Sequence, residues 1–440
     1  MNAEARKHLE DLAAFVEASP SSFHAAAEIR RRCEVAGYTA LDEEAAWEIR
    51  PGGRYVVARD GAAVAFAVPS SATGLTPFTL LGTHTDSPGF KLKPRPTIGA
   101  AGWLQAGVEV YGGPLLVSWL DRELELAGRA VAFDGTEYLV RTGPLLRIPS
   151  LAIHLDRTAN EEFRLDKQRH LQPVWGLGAN PQEADLLAVV AASAVPLPSP
   201  GAPGAAPEAP ALDPADIAGY DLITVDSQAP RVFGADDTLF ASPRLDNLLS
   251  THAALTALLA APEPTTISVL AAFDHEEVGS DTYSGAGGPL LETVMGRVSS
   301  GLGATPDEAA RARAGSFLVS SDVGHATHPN YAERHDPANQ PLAGRGPILK
   351  INANQRYATD APGAARWQEA CRRAGVPSQE FVSNNASPCG STIGPISAAR
   401  LGIRTVDVGA PILSMHSARE LCAALDPWYL SRAMGAILAG

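Results

Sequence analysis

The chain has 440 residues, 45% of them hydrophobic and 19% charged, with a formal net charge of −14 and a pI near 5.3. That length exceeds one ordinary core, so two domains, or one large domain carrying an insertion, are expected of what reads as a soluble globular protein. The acidic balance excludes nucleic acid and an anionic membrane as main partners, since both select a basic surface.

The first segment, MNAEARKHLEDLAAFVEASP, mixes charges with apolar residues and lacks the continuous apolar run of a signal peptide. No stretch offers the roughly 18 uninterrupted apolar residues of a spanning helix. Cys33, Cys371, Cys389 and Cys422 lie far apart without a C-x-x-C pair, so neither a disulfide framework nor a cysteine zinc knuckle is expected. A reduced, cytoplasmic protein follows.

In chain order, Leu9, Leu12, Phe15 and Val16 recur at helical spacing, and SSFHAAAEIRRRCEVAGY reads as a second helix opened by a serine cap and closed by Gly37. RYVVA and AVAFAV read as strands, and PFTLLGTHTDSPG as a buried strand running into a loop. From about 90 to 235 the pattern changes to short β-like runs, GVEVYG, RAVAF, EYLVRT and LLRIPS, with glycine and turn residues between them. Within this portion, residues 195–214 are rich in Pro, Ala and Gly and read as an exposed loop without chemistry. SPRLDNLLSTHAALTALLA then reads as a loop entering an apolar helix, followed by strands at TISVLAAFD, GSFLVSSD, GPILKIN and IRTVDVG. The expected organisation is an α/β domain formed by 1–89 and 236–440, split by a β-rich insertion at 90–235.

Several chemistries are missing. GLGANP and GLGATP place Pro181 and Pro306 where a dinucleotide loop needs its third glycine, and neither a Walker loop nor a G-x-S-x-G elbow occurs. Cys389 in SPCGSTIGP reads as a structural thiol before a nucleophile. What remains is a set of His and carboxylate residues at the ends of apolar runs: His84 and Asp86 in LLGTHTDSPG, Asp246 in SPRLDNLLS, Glu276 and Glu277 in AAFDHEEVGS, Asp322 in FLVSSDVGHATHPN, and His416 in PILSMHSARE. An open α/β sheet presents its ligands at such ends. Singly each has a duller reading: an acidic pair facing water, or an aspartate capping a helix. Together, two histidines and three carboxylates suit a pair of zinc, manganese or cobalt ions with one carboxylate bridging. Two cations would compensate the adjacent Glu276 and Glu277, one binding metal and the other left free as a base. Successive strand side chains point to opposite faces, so this pair belongs where the strand ends and the backbone turns, and Gly279 just beyond fits.

These motifs, in this order, resemble the aspartyl aminopeptidase family of dinuclear zinc metallopeptidases, most closely its bacterial members. The resemblance runs from ASPSSFHAAAEIRRR through GTHTDSPGFKLKP, YGGPLLVSWLDREL, IPSLAIHLDR and FDHEEVGS to LKINANQRYATD, PCGSTIGPI and SMHSAREL. FVSNNASPCG departs from the Arg-Asn-Asp form that precedes Pro-Cys-Gly in other members, which bears on pocket contacts but not on the metal centre.

The resemblance implies a mixed-sheet α/β zinc-peptidase domain with helices on both faces, interrupted by a dimerisation domain. It implies one zinc held by His84, Asp246 and Asp322 and another by Asp246, Glu277 and His416, with Asp86 orienting the ring of His84. It makes Glu276 the base that takes a proton from the attacking water and returns it to the departing amine. His154, His325, Lys350 and Tyr357 fall at substrate-contacting positions, His154 reaching a neighbouring subunit's site. Lys350 would pair with an acidic first residue of the peptide, against its ordinary reading as a solvated lysine. A tetrahedral dodecamer built from dimers is also implied. The expected activity is removal of amino-terminal Asp or Glu from peptides. The alternatives are the same centre with a neutral or broad preference, a dinuclear deacylase or carboxypeptidase, and an assembly protein with a vestigial site.

Overall fold

The computed structural model describes residues 1–197 and 210–440. Most of the Pro/Ala-rich loop expected at 195–214 therefore lies outside the described residues. The chain divides into two compact units, one comprising Met1–Asp86, Pro230–Met415 and Glu420–Gly440, the other Ser87–Ala229 with His416–Arg419.

The first unit is built on a nine-stranded mixed sheet. Its strands are β1 (Thr39–Ala40), β2 (Arg54–Arg59), β3 (Ala62–Ala67), β4 (Phe78–His84), β5 (Ile267–Phe273), β6 (Phe317–Ser321), β7 (Ile348–Ile351), β8 (Gln379–Val382) and β9 (Arg404–Gly409). They lie in the order β1-β2-β3-β5-β4-β6-β9-β7-β8. The central four, β5, β4, β6 and β9, run parallel. Every residue of β3, β4, β5 and β6 is buried, the pattern of strands covered on both faces.

Alternation along the strands divides the two cores. Leu81, Leu270 and Val319 pack under helices α1 (Ala3–Ala18), α2 (Ser22–Val35), α3 (Leu245–Ala260) and the helix Asp426–Leu438. Leu80, Val269 and Leu318 pack on the other face with the helices Leu290–Gly301 and Ile393–Leu401. The first two helices form as the sequence suggests: α1 buries Leu9, Leu12, Phe15 and Val16, and α2 is capped by Ser21, with Gly37 just beyond its end at φ +85°. A second, five-stranded sheet in this unit joins Arg231–Phe233, Leu239–Ser242, Glu420–Ala423, Pro411–Leu413 and Gly324–His325 in that order.

The other unit is an antiparallel seven-stranded sheet whose longest members are Gly89–Ala100, Ile217–Asp226, Leu124–Ala132 and Trp103–Tyr111. Phe90, Trp119, Leu126, Val140 and Leu222 form its core. Among the described residues no helix is long and apolar enough to cross a membrane.

Candidate metal centre

Three neighbouring parallel strands deliver side chains to one edge of the nine-stranded sheet. His84 is the last residue of β4, Asp322 follows β6 directly, and Glu276 and Glu277 stand just past β5. Beyond β5 the backbone leaves the strand through His275 at φ +62°, makes a single 3-10 turn over Glu276–Val278, and exits at Gly279 with φ +102°. This turn lets both adjacent glutamates face the same region, as a regular strand could not.

Asp246 arrives from another direction, near the start of α3. Its own dihedrals, φ −80° and ψ 103°, are not helical, and the Asp246–Asn247 peptide is cis. Asn247 is fully buried and donates from Nδ2 to the carbonyl of Ser321 at 2.9 Å, which ties the start of α3 to the end of β6.

His84, 1% exposed, sits at the focus of the group. Its Nε2 is 3.1 Å from Asp246 Oδ1 and 3.5 Å from Asp322 Oδ1, and the latter oxygen is buried without a hydrogen bond. Two donors on one tetrahedral zinc lie about 3.4 Å apart given its usual bond lengths. The ligand atoms of His84, Asp246 and Asp322 all fall within 4.8 Å of one another, as do those of His84, Glu276 and Glu277. Imidazole nitrogen with carboxylate oxygen is a donor set suited to zinc, so these residues fit such an ion.

The electrostatics agree. Burial alone would hold the His84 ring neutral, but Asp246, Asp322 and Asp86 raise its pKa well above the usual histidine value. Burial pushes Glu276 up to about 8; His84 opposes that shift and Asp322, Asp246 and Asp86 add to it.

Asp86 reaches both the His84 ring and the turn beyond β5. His84 Nδ1 lies 3.1 Å from its main-chain oxygen and 3.4 Å from Oδ1. The two carboxylate oxygens accept the backbone N–H groups of Glu276 at 3.0 Å and Glu277 at 3.1 Å. One carboxylate therefore fixes the loop carrying both glutamates.

Lys350, His325 and Tyr357 group nearby in the first unit. Lys350 is buried, donates to the Val323 carbonyl at 2.9 Å, and approaches Asp322 Oδ2 to 3.8 Å. Its amine stands 5.4 Å from the Tyr357 ring centre. Burial raises the Tyr357 phenol above its ordinary value, and Phe381 packs between the rings of Tyr357 and His325 at 6.3 and 6.4 Å. His416 and His154 belong to the second unit. His416 has φ +65° and its Nδ1 is 3.0 Å from the Gly113 carbonyl oxygen. His154 is exposed on an irregular stretch whose neighbours Leu151, Ile153 and Leu155 are exposed as well.

The sequence and the fold match one family along nearly the whole chain. The family model for aminopeptidase I zinc metalloproteases (M18) matches residues 15–435. The chain belongs to the M18 aminopeptidase family. A probable M18 family aminopeptidase 2 of Streptomyces avermitilis is 53% identical, covering 99% of this chain and 98% of its own length. Among solved structures, the cryo-EM structure of the Ape4 and Nbr1 complex contains a chain 37% identical with a TM-score of 0.93, covering 99% of this chain and 86% of that one. The S. cerevisiae mApe1 dodecamer is 27% identical with a TM-score of 0.81, covering 97% and 95%.

As an M18 member the chain is a metallo-aminopeptidase, a hydrolase of peptide bonds, and the expected α/β architecture with a mixed sheet is the one observed. Sequence reasoning passed over Asn247 and Glu420. Both are polar residues at the edge of apolar runs, the same signal that singled out His84 and Asp322, but their partners become visible only with the strand pairing.

Proposed function

We propose that this M18 aminopeptidase removes amino-terminal Asp or Glu from peptides by means of two metal ions per subunit. His84, Asp246 and Asp322 would hold one ion, and Asp246, Glu277 and His416 the other, zinc being the metal the family favours and manganese or cobalt alternatives. When bound, such a pair activates a water and polarises the scissile carbonyl. Glu276 takes the proton of the attacking water on its carboxylate and passes it to the departing amine. Asp86 keeps Glu276 and Glu277 in place through their backbone N–H groups. The single observation that carries this reading is the convergence of His84, Asp322, Glu276 and Glu277 at the ends of three adjacent parallel strands, with Asp246 brought to them from the start of α3.

The acidic preference is supported by Lys350. An ammonium carries three donors, and the Val323 carbonyl occupies one. A substrate carboxylate can take another, with Tyr357 and His325 flanking it.

We further assign residues 90–235 to dimer contacts and the whole to a tetrahedral dodecamer, in which His154 completes a neighbour's site. The exposed Leu151, Ile153 and Leu155 beside His154 support an interface there. The proposed location is the cytoplasm, consistent with four free cysteines.

The test is a panel of Asp, Glu and Leu aminoacyl nitroanilides together with a peptide blocked at its amino terminus. Acidic substrates turned over well above Leu would support the reading. Preferred cleavage of Leu would discard the acidic pocket, and cleavage of the blocked peptide would favour a deacylase or carboxypeptidase.

A further inference from the structure

Glu420 is a buried carboxylate, 2% exposed, to which no part of the reaction above assigns a role. It opens the strand Glu420–Ala423, which pairs antiparallel with Leu239–Ser242 so that Glu420 stands opposite Ser242. The chain continues from Ser242 through Pro243, Arg244 and Leu245 to Asp246. This register brings a carboxylate from the end of the sequence to the residue that both metal ions would share.

Its Oε2 accepts the backbone N–H of Asp246 at 2.8 Å. Asp246 lies at the start of α3, where the first amides have no carbonyl one turn earlier, and its non-helical dihedrals turn the amide out of the helical ladder. A buried amide left without an acceptor is costly. The preceding Arg244, held at φ +58°, donates from its guanidinium to the carbonyls of Ser19 and Thr85. The chain is thus pinned by its guanidinium at Arg244 and by its amide at Asp246. On the far side Asn247 is anchored to Ser321.

We infer that Glu420 is a positioning residue: it fixes the Asp246 main chain and thereby aims the Asp246 carboxylate between His84 and the rest of the cluster. It acts as a hydrogen-bond acceptor and does not bind the metal. Asp86 does the same for the Glu276–Glu277 turn, so two of the ligand-bearing loops are each held by a carboxylate outside the ligand set. This inference rests on the dinuclear reading given above.

The experiment measures zinc affinity by competition with a chelator, with kcat, KM and thermal unfolding alongside, in the native full-length protein, Glu420→Leu, Glu420→Gln and Cys422→Ala. Leu fills the space without an acceptor, Gln keeps a carbonyl oxygen, and Cys422 is a buried neighbour in the same strand that makes no such bond to Asp246. Expected are a loss of zinc affinity of about 10- to 100-fold in Glu420→Leu, with kcat falling more than KM changes. Glu420→Gln should stay within about threefold of native affinity, and Cys422→Ala should lose stability only.

Native affinity in Glu420→Leu would overturn the inference. So would Glu420→Gln as weak as Glu420→Leu, because charge rather than acceptance would then matter. An equal loss in Cys422→Ala would also overturn it, by reducing the effect to general loosening of the strand. Should Glu420→Leu fail to fold, Glu420→Ala takes its place, with the same expected loss of zinc affinity and the same contradicting result. A native protein that binds no zinc would overturn the dinuclear reading itself, an outcome distinct from all of these.

Discussion

Two clusters of histidine and carboxylate lie in the same unit, and they differ in the ratio of acidic to basic groups that they bring together. Between α1, α2 and α3, Asp11 bonds His252 Nε2 at 2.7 Å and Arg32 at 2.8 Å, Arg32 also reaches Glu28 at 2.7 Å, and Arg31 grips Glu28 from the other side. Two carboxylates there meet two guanidiniums. At the sheet edge, Asp86, Asp246, Asp322, Glu276 and Glu277 gather around one imidazole, His84, and Lys350 stands 3.8 Å from Asp322. The first arrangement closes its charge account internally and is structural. The second crowds five carboxylates into one place, an arrangement that protons or metal ions favour.

The sharpest way to break this contrast is to remove Asp246, the proposed shared ligand. Asp246→Ala should lose bound zinc and all measurable peptidase activity while its circular dichroism remains native, whereas retained zinc would refute the bridging role. Next in size, Glu276→Gln should lower kcat by about 10²- to 10⁴-fold, the span typical of a lost general base, with metal content unchanged. Loss of metal in that variant would make Glu276 a ligand instead.

A smaller effect is expected at Lys350. Lys350→Met should reduce kcat/KM for Asp and Glu substrates by about 10- to 100-fold, matching a hydrogen bond to a charged group, and should leave Leu substrates nearly as before. An equal fall for all substrates would assign Lys350 to holding Asp322 rather than to specificity.

The smallest effect belongs to the balanced cluster. Burial first, and then the charge of His252 with its ring 4.7 Å away, lower His8 from 6.5 to about 3 against the opposing pull of Asp11. The folded state therefore binds fewer protons than the unfolded chain between those pH values. The stability His8 contributes is complete above about 6.5 and declines as pH falls towards 3. Replacing it with a group that does not titrate, in His8→Phe, should remove about 1–2 kcal/mol of the stability lost between pH 6.5 and 5. Denaturant unfolding of the metal-free protein at the two pH values measures this. An unchanged pH slope would contradict it.

What could be read from the sequence follows from the same physics. Strands β4, β5 and β6 are buried along their whole length, so a polar residue at the end of each stands out against an apolar run. That the backbone turns at Glu276 was legible because two adjacent carboxylates cannot share one face of a strand. The contacts of Glu420 and Asn247 were not, because they depend on register between segments 174 and 74 positions apart. The second unit hid more. Its twelve-residue strand Gly89–Ala100 contains Pro94 and Pro96, which interrupt a strand pattern and here fall at a break in register between Leu92 and Thr97. The helix Leu186–Ala192 is too short to show a period amid β-like runs.

The most direct test of the account is a count of zinc per subunit after the native protein is equilibrated with the metal and freed of excess. Two ions per subunit are predicted by the dinuclear centre proposed above, with Asp246 held in common. One ion or none would contradict that centre.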